Sequence, residues 1–243
     1  MNTLDTLYKK CFSVNKKHIK TIIDNRKHAP VIKISNVFDN PDLVLKFQKY
    51  INKWESSGSS KPGIMGIGFP YWTANHIFKE ILKVDLYEYR KESETEFIYF
   101  YKDNACIDEQ NLNNLASNNC LLPHTDDWIE PDSIRRAIIM IVNLNKKKIK
   151  TGFWKFLNYD NDYLENQNDY FDYTTKITYE NIDEYTNNGV LDKKFDVEYS
   201  YNEGIIYYAD MYHQPIIEET YSRENPRILF RITCNINIED SIL

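Results

Sequence analysis

The chain has 243 residues, 42 % of them hydrophobic, with 30 basic and 36 acidic side chains and a formal net charge of −6. That is enough apolar material for a sizeable core, and the two charge signs are interspersed with no basic stripe carrying aromatics, which argues against a nucleic-acid partner. Only 7 glycines are present, without a GxGxxG or GxxxxGK[ST] pattern, so nothing points to a loop that cradles phosphates.

The four cysteines, Cys11, Cys106, Cys120 and Cys234, show no CxxC spacing, the N-terminus has no apolar targeting segment, and no apolar run reaches membrane-spanning length. The expectation is a cytoplasmic protein with reduced thiols and no membrane partner. No internal repeat or linker interrupts the chain, so residues 1–243 are read as a single domain. Its oligomeric state is left open.

In chain order, residues 1–29 are polar and lysine-rich and are read as one or two short helices. Val31–Phe38 alternates as a strand. Asn40-Pro41 then offers a helix start, because Asn accepts a bond from an orphan amide and Pro suits the first helical position. Leu43, Val44, Phe47, Ile51 and Trp54 follow at helical spacing. Ser57–Ser60 ends that helix, and Lys61–Gly68 is a glycine-bearing loop. A second helix is expected over Ala74–Val84. Residues 1–95 thus read as mainly helical.

From Glu96 the texture becomes aromatic and β-branched. Strands are expected at Phe97–Tyr101, Cys120–Thr125, Ala137–Asn143, Gly152–Leu157, Lys194–Tyr201, Gly204–Tyr208 and Arg227–Ile238. The lysine run from Lys146 to Lys150 lies between two of these and is read as a solvated hairpin loop. Residues 158–191 are acidic and rich in Asn and Tyr, and read as an insertion with a short helix near Asn181–Asn187. Helices first and many short strands afterwards indicate an α+β protein whose C-terminal part (96–243) is a two-sheet sandwich or jelly roll, with the helices packed on one sheet.

The chemistry concentrates in Leu121-Leu122-Pro123-His124-Thr125-Asp126-Asp127-Trp128. Residues i and i+2 of a strand share a face, so His124 and Asp126 project together. A second imidazole from another strand completes a two-His, one-carboxylate facial triad, the ligand set of non-haem Fe(II) oxygenases. His213 is the natural third ligand. His18, His28 and His76 lie in the N-terminal part, and none has a carboxylate two residues away on a strand. Each element alone is common by chance, and their order together carries the weight.

Arg227 lies 14 residues beyond His213 and opens the apolar strand Ile228-Leu229-Phe230. Arg231 is four further on and shares its face. An inward arginine needs an anion, either a structural Asp or Glu or a dicarboxylate co-substrate gripped through its planar carboxylate.

These residues resemble the 2-oxoglutarate/Fe(II)-dependent dioxygenases of the prolyl-4-hydroxylase-like type, and more narrowly a bacterial and phage group with a Pro-His-x-Asp signature. Val31–Asp42 is similar to that group's opening strand and helix cap, and Lys61–Met65 to its Pro-Gly loop. Leu122–Asp126, Ala137–Asn145 and Thr151–Phe156 resemble the metal strand and following hairpin, and Gly204–Ile232 the distal-His and Arg strands. The resemblance spans about residues 31–236, and only the His-x-Asp…His…Arg set is specific. It implies a double-stranded β-helix of the jelly-roll or cupin kind. It also implies Fe(II) on His124, Asp126 and His213, with 2-oxoglutarate chelating the metal and its distal carboxylate held by Arg227, or by Arg231. Tyr99 or Tyr101 would donate a hydrogen bond to that carboxylate.

The implied reaction is a hydroxylation: O2 and 2-oxoglutarate yield succinate and CO2 while a hydrogen is removed from a small-molecule or peptide substrate. Asp127, Trp128 and Asp210 are candidates for orienting the imidazoles. The chain departs from the pattern where Lys150-Thr151-Gly152 replaces a Gly-Gly-Thr hairpin, in its longer His213-to-Arg227 gap, and in the 158–191 insertion. Loop 62–72, Trp128 and that insertion would line the substrate pocket. Two other readings use the same scaffold: a metal-free β-sandwich that binds a ligand, and a hydrolase with another metal on the His/Asp/His set.

Overall fold

The structure is a computed structural model and describes residues 3–26, 29–47, 49, 54–56, 64–66, 71–84, 98–103, 122–126, 135–156, 177–178, 180–216, 227–237 and 242–243. The elements run α1 (Thr3–Cys11), β1 (Ile19–Asp24), β2 (Val31–Ser35), α2 (Pro41–Phe47), β3 (Trp54–Ser56), β4 (Ile64–Gly66), α3 (Tyr71–Leu82) and β5 (Ile98–Asp103). They continue with β6 (Arg135–Asn143), β7 (Ile149–Phe156), α4 (Ile182–Asn187), β8 (Leu191–Tyr199), β9 (Gly204–Tyr208), β10 (His213–Ile216) and β11 (Arg227–Asn237). The result is a mixed α+β protein built on two antiparallel sheets.

The larger sheet has the order β1-β2-β9-β6-β11-β5-β4-β3, and the smaller one β10-β7-β8. Beside the smaller sheet, His124 makes an isolated antiparallel bridge to His213 at the start of β10.

Strand alternation assigns each face of the larger sheet its partner. On β11, Phe230, Ile232, Cys234 and Ile236 turn toward the helices and join Ile138, Met140, Val142 and Ile206 from neighbouring strands. Val44 and Phe47 of α2 and Ile77, Phe78 and Ile81 of α3 close over them. Phe12, just past α1, stacks on Phe230 with ring centroids 5.1 Å apart. Burying one such ring is worth about 1.5–3 kcal/mol. The N-terminal helices therefore lie on one face of the larger sheet, as the sequence leads one to expect, whereas α4 packs beside β8 with Leu122, Ile177 and Leu191. The start of α2 is capped as anticipated: the Leu43 N–H donates to Asn40 Oδ1 at 3.0 Å, and Pro41 is the first helical residue.

The opposite face packs against the smaller sheet. Ile139, Ile141, Ile205, Tyr207 and Leu229 meet Ile149, Phe153, Val197 and Tyr199 there. This second core is the interior into which Arg227 and Arg231 point, since both share the face of Leu229.

Among the described residues, the N-terminal part holds strands as well as helices. The described residues of 1–29 hold one helix and then β1, and Trp54, which matches a helical spacing, instead opens β3. Helix α2 is described over Pro41–Phe47, and residues 48 and 50–53, including Ile51 of the expected helix, lie outside the described residues. The β-branched run of Ile19-Lys20-Thr21-Ile22-Ile23 suits a pleated edge better than a helix, and pairing with β2 satisfies its backbone. Helix α3 starts at Tyr71, three residues before the expected Ala74. Within the insertion, α4 forms where anticipated, while 158–176 lies outside the described residues. Among the described residues no helix is long and apolar enough to cross a membrane, and Cys11 and Cys234 are buried and in no disulfide.

Candidate metal centre

The site begins with backbone stitching. The His124 N–H donates to the His213 carbonyl and the His213 N–H donates back, both at 2.9 Å, and the Asp126 N–H donates to the Ala209 carbonyl at 2.9 Å. Both ends of the short segment are thus tied to the turn between β9 and β10. The strand expected at Cys120–Thr125 is, over its described residues, a one-residue bridge at His124 with bends at Leu122 and Pro123, and it is these backbone ties that set His124 and Asp126 next to His213.

The imidazoles are oriented by main chain. His124 Nδ1 lies 2.7 Å from the Leu122 carbonyl, and His213 Nδ1 lies 2.9 Å from the Met211 carbonyl. A carbonyl only accepts, so in each ring Nδ1 carries the proton and a neutral ring keeps its lone pair on Nε2. Both Nε2 atoms turn toward Asp126: His213 Nε2 is 3.1 Å from Oδ2 and His124 Nε2 is 3.9 Å from Oδ1. One donor atom from each of the three residues lies within 4.8 Å of the others, so the group can hold a metal ion. The ring centroids of His124 and His213 are 4.6 Å apart, and those of Tyr207 and His213 are 4.9 Å apart.

The group sits at the edge of the interior. The side chains of Asp126 and His213 are 7 % and 5 % exposed, whereas that of His124 is 26 % exposed. His124 is thus the most exposed of the three.

The surroundings are cationic. Arg231 Nη2 donates to Asp126 Oδ2 at 2.5 Å, so one carboxylate oxygen is held by a guanidinium while the other faces His124. Arg227, on the same strand face, is buried. Between the sheets, the Tyr199 hydroxyl lies 3.1 Å from Thr151 Oγ1. Burial pushes the Tyr199 phenol up, opposed by the Thr151 hydrogen bond and by the charges of Arg227 and Arg231. Two arginines and two hydroxyls thus share one desolvated region beside the three ligands.

Of the residues singled out from sequence, the structure brings together His124, Asp126, His213 and Arg231, with Arg227 further along the same strand. Tyr99 and Tyr101 lie on β5, their backbones in register with Arg231 and Leu229, and their side chains lie outside the described residues, as do Asp127 and Trp128. Asp210 does not orient an imidazole. Its carboxylate is taken by Arg136 in a buried pair, and the main-chain carbonyls of Leu122 and Met211 fix the rings instead. Tyr199, Thr151 and Tyr207 were not foreseen as part of the site. Tyr199 is one of 19 tyrosines, and only its inward place on β8, two residues from Val197, distinguishes it.

Compared with known proteins, the chain matches no family model and no curated sequence.

Proposed function

We propose that the protein is a non-haem Fe(II)- and 2-oxoglutarate-dependent oxygenase that hydroxylates an unactivated C–H bond. The observation that carries this reading is the convergence of His124 Nε2, His213 Nε2 and an Asp126 oxygen, with each Nδ1 tied to the carbonyl two residues earlier. Two imidazoles and one carboxylate leave coordination positions open, which the chemistry requires, because both O2 and a co-substrate must reach the metal. When bound, Fe(II) supplies the redox chemistry that couples conversion of 2-oxoglutarate and O2 into succinate and CO2 to removal of a substrate hydrogen.

The winding of the strands supports a double-stranded β-helix as the scaffold. From β5 onward the chain visits the larger sheet, a bridge beside the smaller (His124), the larger (β6), the smaller twice (β7, β8), the larger (β9), the smaller (β10) and the larger (β11). The two halves of that path are mirror sequences, the winding expected of a jelly roll.

The chain's own residues divide the remaining work. Arg227 is the proposed anchor of the distal carboxylate. It is buried on the interior face, and its strand position lies about 13 Å from that of Arg231 at roughly 3.3 Å per residue, so it is set further along the strand than the guanidinium on Asp126. Thr151 and Tyr199 assist it: their pair spends one hydroxyl proton on their mutual hydrogen bond and keeps the other to offer an anion. Arg231 holds Asp126 in place rather than holding the co-substrate. Leu229, Phe153 and Tyr207 exclude water from the interior, which strengthens each of these charged contacts.

The test is turnover. Fe(II)-loaded protein should consume O2 and release succinate from 2-oxoglutarate, slowly on its own and faster with a substrate. Metal-dependent hydrolysis indifferent to O2, or ligand binding undisturbed by a chelator, would replace this reading with one of its two competitors.

A further inference from the structure

The Ala209–Tyr212 turn joins β9 to β10, and successive residues in it do different jobs. The Ala209 carbonyl accepts from the Asp126 N–H at 2.9 Å. The Met211 carbonyl receives the His213 imidazole at 2.9 Å. The Tyr212 carbonyl accepts from the Trp154 N–H at 3.0 Å, which ties the turn to β7. Two of the three candidate ligands are therefore oriented by the main chain of a single turn, whose own backbone closes it with one hydrogen bond, from the Met211 N–H to the Tyr208 carbonyl at 3.1 Å.

The remaining residue of the turn is Asp210, and it reaches the other way. Its carboxylate receives Arg136 Nε at 3.1 Å and Arg136 Nη2 at 2.9 and 2.8 Å. The two side chains are only 4 % and 2 % exposed. Arg136 belongs to β6, two residues before Ile138, and so lies on the helix-packed face of the larger sheet, away from the metal side. Its guanidinium also sits 3.5 Å from the ring centroid of Tyr208, the residue that ends β9. The Ala209 N–H donates to the Ala137 carbonyl at 3.0 Å, so the neighbouring backbone of β6 holds the turn as well.

Resting on the metal reading above, we infer that Arg136 and Asp210 are a positioning pair for the metal centre. A buried ion pair is a weak device for stability, because desolvation offsets its Coulombic gain and apolar replacements of similar volume often do as well. It is a strong device for geometry, since a planar guanidinium forked onto a carboxylate fixes distance and orientation together. Here the fork pins the one turn whose carbonyls aim His213 and seat Asp126. Neither residue touches the metal or a reactant. They act through the Ala209 and Met211 carbonyls.

The experiment separates this role from simple structural support. Co(II) is titrated into the purified full-length chain and its visible d–d bands, which report coordination geometry, are recorded with the affinity and with melting of the metal-free protein. Two variants are compared with wild type: Arg136→Met/Asp210→Leu, which removes both charges together, and Arg136→Lys, which keeps the charges but loses the fork. The double variant is expected to melt close to wild type yet bind Co(II) roughly 10- to 100-fold more weakly, the usual cost of disturbing groups that orient metal ligands, with altered bands. Arg136→Lys is expected to lie between the two. Wild-type affinity and bands in the double variant would overturn the inference, and if that variant does not fold, the same result for Arg136→Lys would do so. Failure of wild-type protein to bind Co(II) at all would overturn the metal reading itself, and the positioning role with it.

Discussion

His124 and His213 exchange both of their backbone hydrogen bonds, each at 2.9 Å. In such an antiparallel pair the two Cα atoms stand about 5.5 Å apart with side chains on one face, so the main chain delivers two imidazoles to one place without help from their rings. Replacing either ring should therefore remove metal binding and leave the fold standing. His124→Ala or His213→Ala is expected to weaken Fe(II) binding by at least about 100-fold, beyond the usual loss from disturbing an outer-shell partner. Melting of metal-free His124→Ala, whose side chain is 26 % exposed, should stay near wild type. Metal content after dialysis, read beside thermal melting, checks both halves.

Asp126 behaves differently because it has two duties. Its Oδ2 receives Arg231 at 2.5 Å, with side chains 7 % and 13 % exposed. Asp126→Ala removes a nearly buried charge partner as well as a ligand, and is expected to cost about 3 kcal/mol in the metal-free protein. His124→Ala should cost much less. Urea unfolding of the two variants without metal gives the comparison directly.

Arg227 and Arg231 occupy one strand face, yet their removal should be distinguishable. Arg227→Ala should raise the 2-oxoglutarate requirement about 30- to 100-fold, equivalent to roughly 2–3 kcal/mol for a charge-assisted contact, and leave metal affinity near wild type. Arg231→Ala should chiefly weaken metal binding, through Asp126. Titrating each variant separately with Co(II) and then with 2-oxoglutarate measures the two effects apart. Equal losses of both ligands in the two variants would show that the arginines act as one anion site.

This division was only half legible in the sequence. The i, i+2 rule placed His124 with Asp126, and the same alternation put Arg227 with Arg231, because both depend on residues close in sequence. Which arginine meets Asp126 depends on how far along β11 the 122–126 segment lies, a long-range register that no local pattern encodes. Arg136 and Asp210 are separated by 74 positions and look like ordinary surface charges until the sheet brings them together. Strands β3 and β4, three residues each, are too short to show a period. The helix over α3 and the strands β6, β9 and β11 were legible because apolar residues there repeat over several turns or pleats.

Tyr199 and Tyr208 report on the interior through pH. Burial is the leading cause that raises both phenols above the ordinary value of 10.0. A phenol raised in the folded state favours the protonated native form, so its stabilising effect is complete below about pH 10 and fades as pH rises above that value. Unfolding free energy should therefore decline above about pH 10. At neutral pH Tyr199→Phe should cost about 1 kcal/mol through the lost Thr151 hydrogen bond, and its gap from wild type should narrow as pH climbs. Denaturant unfolding at pH 8, 10 and 11 tests the sign.

The central claim is that His124, Asp126 and His213 form an Fe(II) site with room for 2-oxoglutarate beside it. It is tested most directly by adding Fe(II) and then 2-oxoglutarate to the metal-free chain under anaerobic conditions and recording the visible spectrum. The account predicts a weak charge-transfer band that needs both additions, is absent from His213→Ala, and disappears on admitting O2 as succinate accumulates. A wild-type chain that binds Fe(II) but develops no such band at saturating 2-oxoglutarate would contradict it.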